Sequence, residues 1–311
     1  DNNRFLRLWH EVEGYSGEYT KLSRKEAKES GLKWFPYNKG GSFRKWYGNR
    51  DYLINWENDG NEIKTFDRSV VRNINYQFRE GYTWSALTSG NLSMRYNEKG
   101  FLFDSKGPMY FYENKKYKYY LLGLLNSKTS LEVLKILAPT LDFNQGPIGN
   151  IPFIFSETHK PEIDSLVQQN ISISKIDWDS FETSWDFEVH PLLDETKQGQ
   201  VPNTIESAYE NWKEYANTNF AKLKENEERL NELFIEIYGL EDELTKDVSD
   251  KDITIAKIFD DKKDIYEDIK GNQYILTKED VIKSFISYGV GCIFGRYSLD
   301  EKGLVYAGGE F

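Results

Sequence analysis

The 311 residues are 39% hydrophobic and 29% charged, which excludes a disordered chain and leaves room for one large globular domain or two ordinary ones. A net charge of −11 argues against a protein that simply coats DNA, yet residues 1–150 carry 23 Lys and Arg against 17 Asp and Glu, while residues 151–311 carry 17 against 34. One cysteine (Cys292), three scattered histidines (His10, His159 and His190) and no apolar run of ~18 residues exclude a disulfide framework, a zinc site and a membrane span, and fit a reducing cytoplasm.

The start at Asp1 without an initiator methionine reads as an excised piece. Residues 1–155 read as β-rich with a few helices. Short aromatic or β-branched runs, DYLINW (51–56), GFLFD (100–104), MYFYE (109–113) and KYKYYLLGLLN (116–126), are separated by Gly, Asn and Asp, as strands are by turns. SKTSLEVLKILAPT (127–140) predicts a short helix, with Ser127 or Thr129 to cap it and Pro139 to stop it. DFNQGPIGNIPF (142–153) is a Gly/Pro loop, and residues 157–203 form a connector with short helical signals and a break at Pro191.

From Thr204 to Tyr238 the pattern changes. Ile205, Tyr209, Trp212, Ala216, Phe220, Leu223, Leu230, Phe234 and Ile237 recur at helical steps, Glu227 interrupts them, and Gly239 supplies a stop. Such a helix runs roughly 50 Å at ~1.5 Å per residue. It reads as the core helix of a bundle or, preferably, as a spacer pairing with another helix along one apolar seam. Residues 245–281 are polar and acidic, and EDVIKSFISYGVGCIFGRYS (279–298) begins a further apolar unit, cut short at Phe311. The expected class is α+β: a mixed, aromatic-rich domain over 1–155, a connector and long spacer helix over 156–244, and an acidic linker with the start of a C-terminal unit over 245–311.

Catalytic signals are sparse. A nucleophile needs a base beside it, but Cys292 in GVGCIFG (289–295) lies among apolar residues and reads as inert. The same glycines lack the strand–loop–helix unit and ribose-binding acid of a dinucleotide site. Carboxylate pairs in the acidic half are what a solvated face supplies, and His190 in SWDFEVHPLL (184–193) reads as a turn-stabilising residue.

KWFPYNKGGSFRKWYGN (33–49) stands apart. It gathers four basic side chains (Lys33, Lys39, Arg44 and Lys45) and three glycines among aromatic rings, with neither helical nor alternating order. Two readings stay open. One is a surface that grips a polyanion, with backbone N–H groups and cations meeting phosphates and rings stacking on bases. The other is a basic turn with an aromatic core. The candidate DNA contacts are Lys39, Arg44, Lys45 and Arg50, then Arg72, Arg79 and Arg95, because arginines on loops are common readers of guanine edges.

That stretch continues as KWFPYNKGGSFRKWYGNRDYLINWENDG (33–60). With GYTWSALTSGNLSMRYNEKGFLFDSKG (81–107), LLGLLNSK (121–128), NELFIEIYGLEDEL (231–244) and ISYGVGCIFGRYSLDEKGLVYAGGEF (286–311), it resembles the PglX family, the adenine-specific DNA methyltransferases of bacterial BREX phage-defence systems. That family transfers a methyl group from S-adenosylmethionine to adenine N6 at a short DNA site. Its Asn/Asp-Pro-Pro-Tyr/Phe loop and its Gly-rich donor loop are absent from these residues. The resemblance therefore implies a segment downstream of the catalytic domain. It would hold a DNA target-recognition domain followed by a spacer, with no cofactor or metal of its own and no catalysis alone. The implied partner is double-stranded DNA, met through the basic half. Other BREX defence proteins are implied as candidate partners if the acidic half acts instead as a scaffold.

Overall fold

The computed structural model describes residues 2–12, 22–67, 69–86, 91–137, 143–198 and 204–306. The chain divides into two units: one takes in residues up to 126 and 130–153, the other 127–129 and 154–306. Helices and small mixed sheets give an α+β fold.

The first unit contains strands β1 (Leu6–Leu8), β2 (Trp34–Asn38), β3 (Tyr52–Asn55), β4 (Gly81–Thr83), β5 (Arg95–Asn97), β6 (Leu102–Phe103) and β7 (Met109–Tyr110). Its helices are α1 (Asn2–Phe5), α2 (Arg24–Glu29), α3 (Glu57–Thr65), α4 (Lys118–Asn126), α5 (Lys128–Leu137) and α6 (Gln145–Gly149), with the first residues of α5 assigned to the second unit. One sheet has the order β1-β3-β2-β6, antiparallel except for the β2–β6 pair; the other is antiparallel in the order β5-β4-β7. Strands this short are held by what they face. Phe35 lies opposite Ile54 and Tyr37 opposite Tyr52, and Tyr82 stacks on Tyr110 at 6.0 Å. Phe5, Ala27, Phe35, Trp56, Ile63 and Phe78 close the core of the first sheet, with Phe35 and Phe78 edge to face at 5.6 Å. A side chain at Gly107 would meet the Asn38 carbonyl oxygen at 2.4 Å, so glycine is what lets the 104–107 turn lie against the end of β2.

The run 116–126, expected as a strand, is mostly the helix α4. Tyr120, Leu122, Leu124 and Leu125 are all buried, so no alternation betrays which face is inside, and the run holds no β-branched residue to favour a strand. The helix predicted at 127–140 is present as α5; its predicted stop at Pro139 lies outside the described residues.

In the second unit the elements are α7 (Lys160–Trp178), α8 (Glu195–Gln198), α9 (Ile205–Tyr238), β8 (Lys257–Phe259), β9 (Ile275–Thr277) and α10 (Lys278–Ile293). The α9 helix is continuous over 34 residues, as its spacing predicts. The Thr204 hydroxyl accepts from the Ser207 amide at 3.1 Å, and Gly239, at φ +64°, ends the helix in the left-handed conformation. Its partner is α7, a 19-residue helix where the sequence suggested a connector. The buried positions of α7 are Ile163, Val167, Asn170, Ser174 and Asp177, at helical steps of three and four. Most of them are polar, so apolar periodicity does not reveal the helix. Asn226 donates to Asn170 at 2.9 Å, and Arg229 grips Glu162 through Nε and Nη2 at 2.6 and 3.0 Å. Asn217 of α9 exchanges hydrogen bonds with the Ile258 backbone in β8 at 2.9 and 3.0 Å. Ile253, Ile255 and Ile258 are buried, so the acidic 245–281 stretch also supplies core. No helix among the described residues is long and apolar enough to cross a membrane.

Candidate nucleic-acid interface

Residues 33–49 enter as β2 and leave as a tightly wound turn. Gly40, Gly41, Trp46, Gly48 and Asn49 all have positive φ. For Trp46, at φ +68°, this is strained backbone that its surroundings must over-determine. They do: the Trp46 amide donates to the Met94 carbonyl at 2.9 Å, its carbonyl accepts from the Tyr96 amide at 2.8 Å, and its ring is buried.

Of the seven cations singled out in the sequence, Arg44, Lys45, Arg50 and Arg95 are 2, 7, 5 and 1% exposed. Arg44 Nε donates to the Tyr47 carbonyl at 2.8 Å, and Arg95 Nη1 donates to the Arg44 carbonyl at 3.1 Å. The Arg50 guanidinium lies 3.9 Å from the Tyr47 ring centre, with Glu98 at 3.8 Å. Burial pushes the Asp51 carboxyl up, against the opposing pull of Arg95 and Arg44. A planar guanidinium can stack on rings and saturate carbonyls at once, so these residues fasten the turn to β5. A count of basic residues reads the same whichever way they face.

The other three differ. Lys39 is half-buried, and Arg72 and Arg79 are exposed. Asn38 sits opposite Phe103 in the parallel pair, and the close approach at Gly107 brings the turn carrying Lys106 beside the loop carrying Lys39. Phe103 packs on Phe111 at 5.6 Å, and Phe111 on Tyr76 at 5.2 Å. The Arg79 guanidinium lies 5.0 and 5.2 Å from the rings of Tyr76 and Phe111. No ion pair or hydrogen bond joins the Arg79 side chain to any of the described residues. Sequence reasoning missed Lys106, whose only signal is its place in the DSKGP turn.

A cleft of about 680 Å³ opens at Arg79, with Lys99 and Lys115 also lining it. Its back wall includes Phe78, whose φ of +66° is fixed by hydrogen bonds to Phe101 and from Gly100 at 2.9 and 3.1 Å. Three carboxylates line it, but two are matched from behind. Glu98 faces Arg50, and Glu80 accepts from Lys118 at 2.5 Å and from Tyr96. Burial opposes ionisation of Glu80, yet these hydrogen bonds hold its pKa below the usual carboxylate value. Apart from those pairs, Arg79, Lys99 and Lys115 face Glu113 on the lining, with Glu26 within electrostatic reach of Lys99.

The second unit has a cleft of similar size, about 690 Å³, but its lining sets Lys224, Lys251 and Lys270 against Asp247, Asp250, Glu267 and Asp268. The Leu192 amide donates to His190 Nδ1 at 3.2 Å, which leaves the Nε2 hydrogen for Ser284 Oγ at 3.0 Å, and Ser284 in turn donates to the Val281 carbonyl at 2.8 Å. This is a turn-stabilising histidine, and burial pulls its pKa down to about 4. Cys292 is half-buried on α10. The described residues contain no group of three or more His, Cys, Asp or Glu side chains able to hold a metal ion.

No protein-family profile matches the chain. Its sequence similarity is to adenine-specific methyltransferases. It is 42% identical over 318 residues, covering the whole chain, to the adenine-specific methyltransferase PglX of Lacticaseibacillus casei (strain Zhang). It is 35% identical over 307 residues, 97% of the chain, to the adenine-specific methyltransferase BrxX of Escherichia coli O9:H4 (strain HS). Over its whole length the chain is thus similar to a segment of the PglX and BrxX methyltransferases, and it spans about a quarter of the length of these curated relatives, 25% and 24%.

Proposed function

We propose that the chain is the target-recognition and spacer part of a site-specific adenine-N6 DNA methyltransferase of BREX phage defence, acting in the cytoplasm with S-adenosylmethionine bound elsewhere in the parent protein. Residues 1–155 meet double-stranded DNA, 156–244 form the connector and spacer, and 245–311 form the acidic linker and a C-terminal unit. One observation carries this reading. In a chain matched along its whole length by an adenine-specific methyltransferase, the accessible Arg79 of the basic half lies against the partly exposed rings of Tyr76 and Phe111. Lys39, Lys106, Arg72 and Arg79 contact the duplex, while Arg44, Lys45, Arg50 and Arg95 form the frame that positions them. Flipping and methylating adenine belong to the rest of the polypeptide.

The test is to replace Lys39, Lys106, Arg72 and Arg79 singly by Ala in the full-length methyltransferase and measure DNA affinity against salt. Removing one phosphate-binding cation should lower the salt slope by about one. Four folded variants with wild-type affinity and methylation would sink the reading. The chain alone should bind duplex DNA in a salt-sensitive way, bind no S-adenosylmethionine and transfer no methyl group.

A second reading, that the helical half docks other BREX proteins, is favoured by an exposed apolar stripe on and just after α10: Ile286, Val290, Ile293 and Phe294. Failure of Ile293→Asp to bind a protein partner, with DNA binding intact, would support it.

A further inference from the structure

We infer that Arg79 reads a guanine edge in the recognised DNA, while Lys99 and Lys115, lining the same cleft, neutralise phosphate. The inference rests on the DNA-recognition reading above and adds a division of labour within it.

Arg79 is set apart from the other cations by how it is held. Reading guanine O6 and N7 takes two parallel N–H donors in a fixed plane, and a guanidinium supplies them if its orientation is settled beforehand. An exposed arginine must otherwise give up side-chain freedom on binding, which weakens it as a reader. The Arg79 guanidinium lies 5.0 and 5.2 Å from the ring centres of Tyr76 and Phe111, which pack on each other at 5.2 Å, so the ring pair supports it on one side, and its donors make no hydrogen bond to any described residue. Phe78, the residue before it, is locked at positive φ by two backbone hydrogen bonds, so the root of the side chain is fixed as well. Arg72 is exposed too, but no aromatic ring among the described residues lies over it. Arg44, Arg50 and Arg95 are engaged in the turn. Lys99 and Lys115 are exposed, and an ammonium on a flexible stem suits a phosphate, where any approach will serve. Glu80 and Glu98 are matched by Lys118 and Arg50, which leaves Glu113 as the carboxylate of the lining set against these cations.

The experiment uses the full-length methyltransferase that contains this chain, with duplexes in which each base pair of the recognised site is changed in turn. Affinity, methylation rate and salt slope are measured for Arg79→Ala, Arg79→Lys, Lys99→Ala and Lys115→Ala, with thermal melts to confirm folding. Arg79→Ala should weaken the cognate site roughly 5- to 150-fold and abolish discrimination at one G·C position, leaving the others intact. Arg79→Lys should lose the same discrimination while keeping the salt slope. Each Lys→Ala should weaken all sequences equally and lower the slope by about one. Full discrimination in Arg79→Lys, or uniform weakening of all sites by Arg79→Ala, would overturn the inference. Lys39→Ala and Lys106→Ala are the controls: if they alter affinity and Arg79→Ala does not, this inference fails alone; if none of the variants alters it, the DNA reading fails with it.

Discussion

In the first unit Arg44 and Arg95 are buried against backbone carbonyls and Arg50 against a ring, whereas in the second unit Arg229 and Lys224 pair with Glu162 and Asp250 on partly exposed helix faces. The same charges are being used for different ends. A buried cation carries a desolvation cost that only fixed, complementary partners offset, so it adds little net stability but tolerates few alternative shapes. A half-exposed ion pair adds a few tenths of a kcal/mol and tolerates many. The turn of the first unit thus depends on strained backbone and on buried cations held by carbonyls and a ring, whereas α9 of the second is set by periodic packing and helix caps, with a buried Asn226–Asn170 pair at its seam with α7. A surface that must present a few side chains in fixed positions suits the first construction.

Four measurements bear on that contrast. The largest effect is expected from Leu230→Pro, in the interior of α9, two turns before its end, and buried. It removes a helix hydrogen bond and adds a ring clash, costing ~3 kcal/mol or more, beyond the missing leucine packing. Helical circular dichroism should fall with the melting temperature; unchanged values would mean α9 is not the element on which the second unit depends.

Trp46→Ala should cost ~3–5 kcal/mol, since it empties a buried site without relieving the positive φ. The first unit should melt earlier before DNA-site choice changes. A stable variant with altered site choice would make Trp46 a reader of DNA, and the contrast with Arg79 would collapse.

The third effect is pH-dependent and belongs to the second unit. His190 has its pKa lowered from 6.5 to about 4 by burial, with Lys197 adding to the shift. Between those values the unfolded chain binds a proton that the folded chain does not. Stability is therefore full above pH 6.5 and falls as pH drops towards 4, by up to about 3 kcal/mol. Thermal melts across that range should show the slope, and His190→Gln should flatten it. An equal slope in the variant would assign the acid sensitivity to other groups.

The smallest effect is Thr204→Ala, which removes the cap of α9 and should cost about 1 kcal/mol. A cost several times larger would show that α9 hangs on one polar interaction as the turn of the first unit does, and the contrast would weaken.

The α9 helix was legible in the sequence because everything that makes it is local: one apolar seam, a threonine before it and a glycine after it. Its partner α7 was not, because half of a helix pairing can be polar when the other half satisfies it, as Asn226 does for Asn170. The α4 helix was misread because burial on all sides removes the period by which helix and strand are told apart. The likeness to these methyltransferases, too, was legible, since long matches in a fixed order need no geometry.

The α+β class, the long helix and the kinship follow from the order of residues alone, whereas the accessibility of each cation follows from the fold. Lys39 and Arg95 look alike as letters in a basic, aromatic stretch. Arg95 is buried because the carbonyl of Arg44, 51 residues away, lies where its guanidinium can donate, and Lys106 stands beside the Lys39 loop because Gly107 can touch Asn38. Periodicity and caps are set by neighbours in the chain, but the exposure of a charge is set by whatever folds over it, and those residues are distant in sequence.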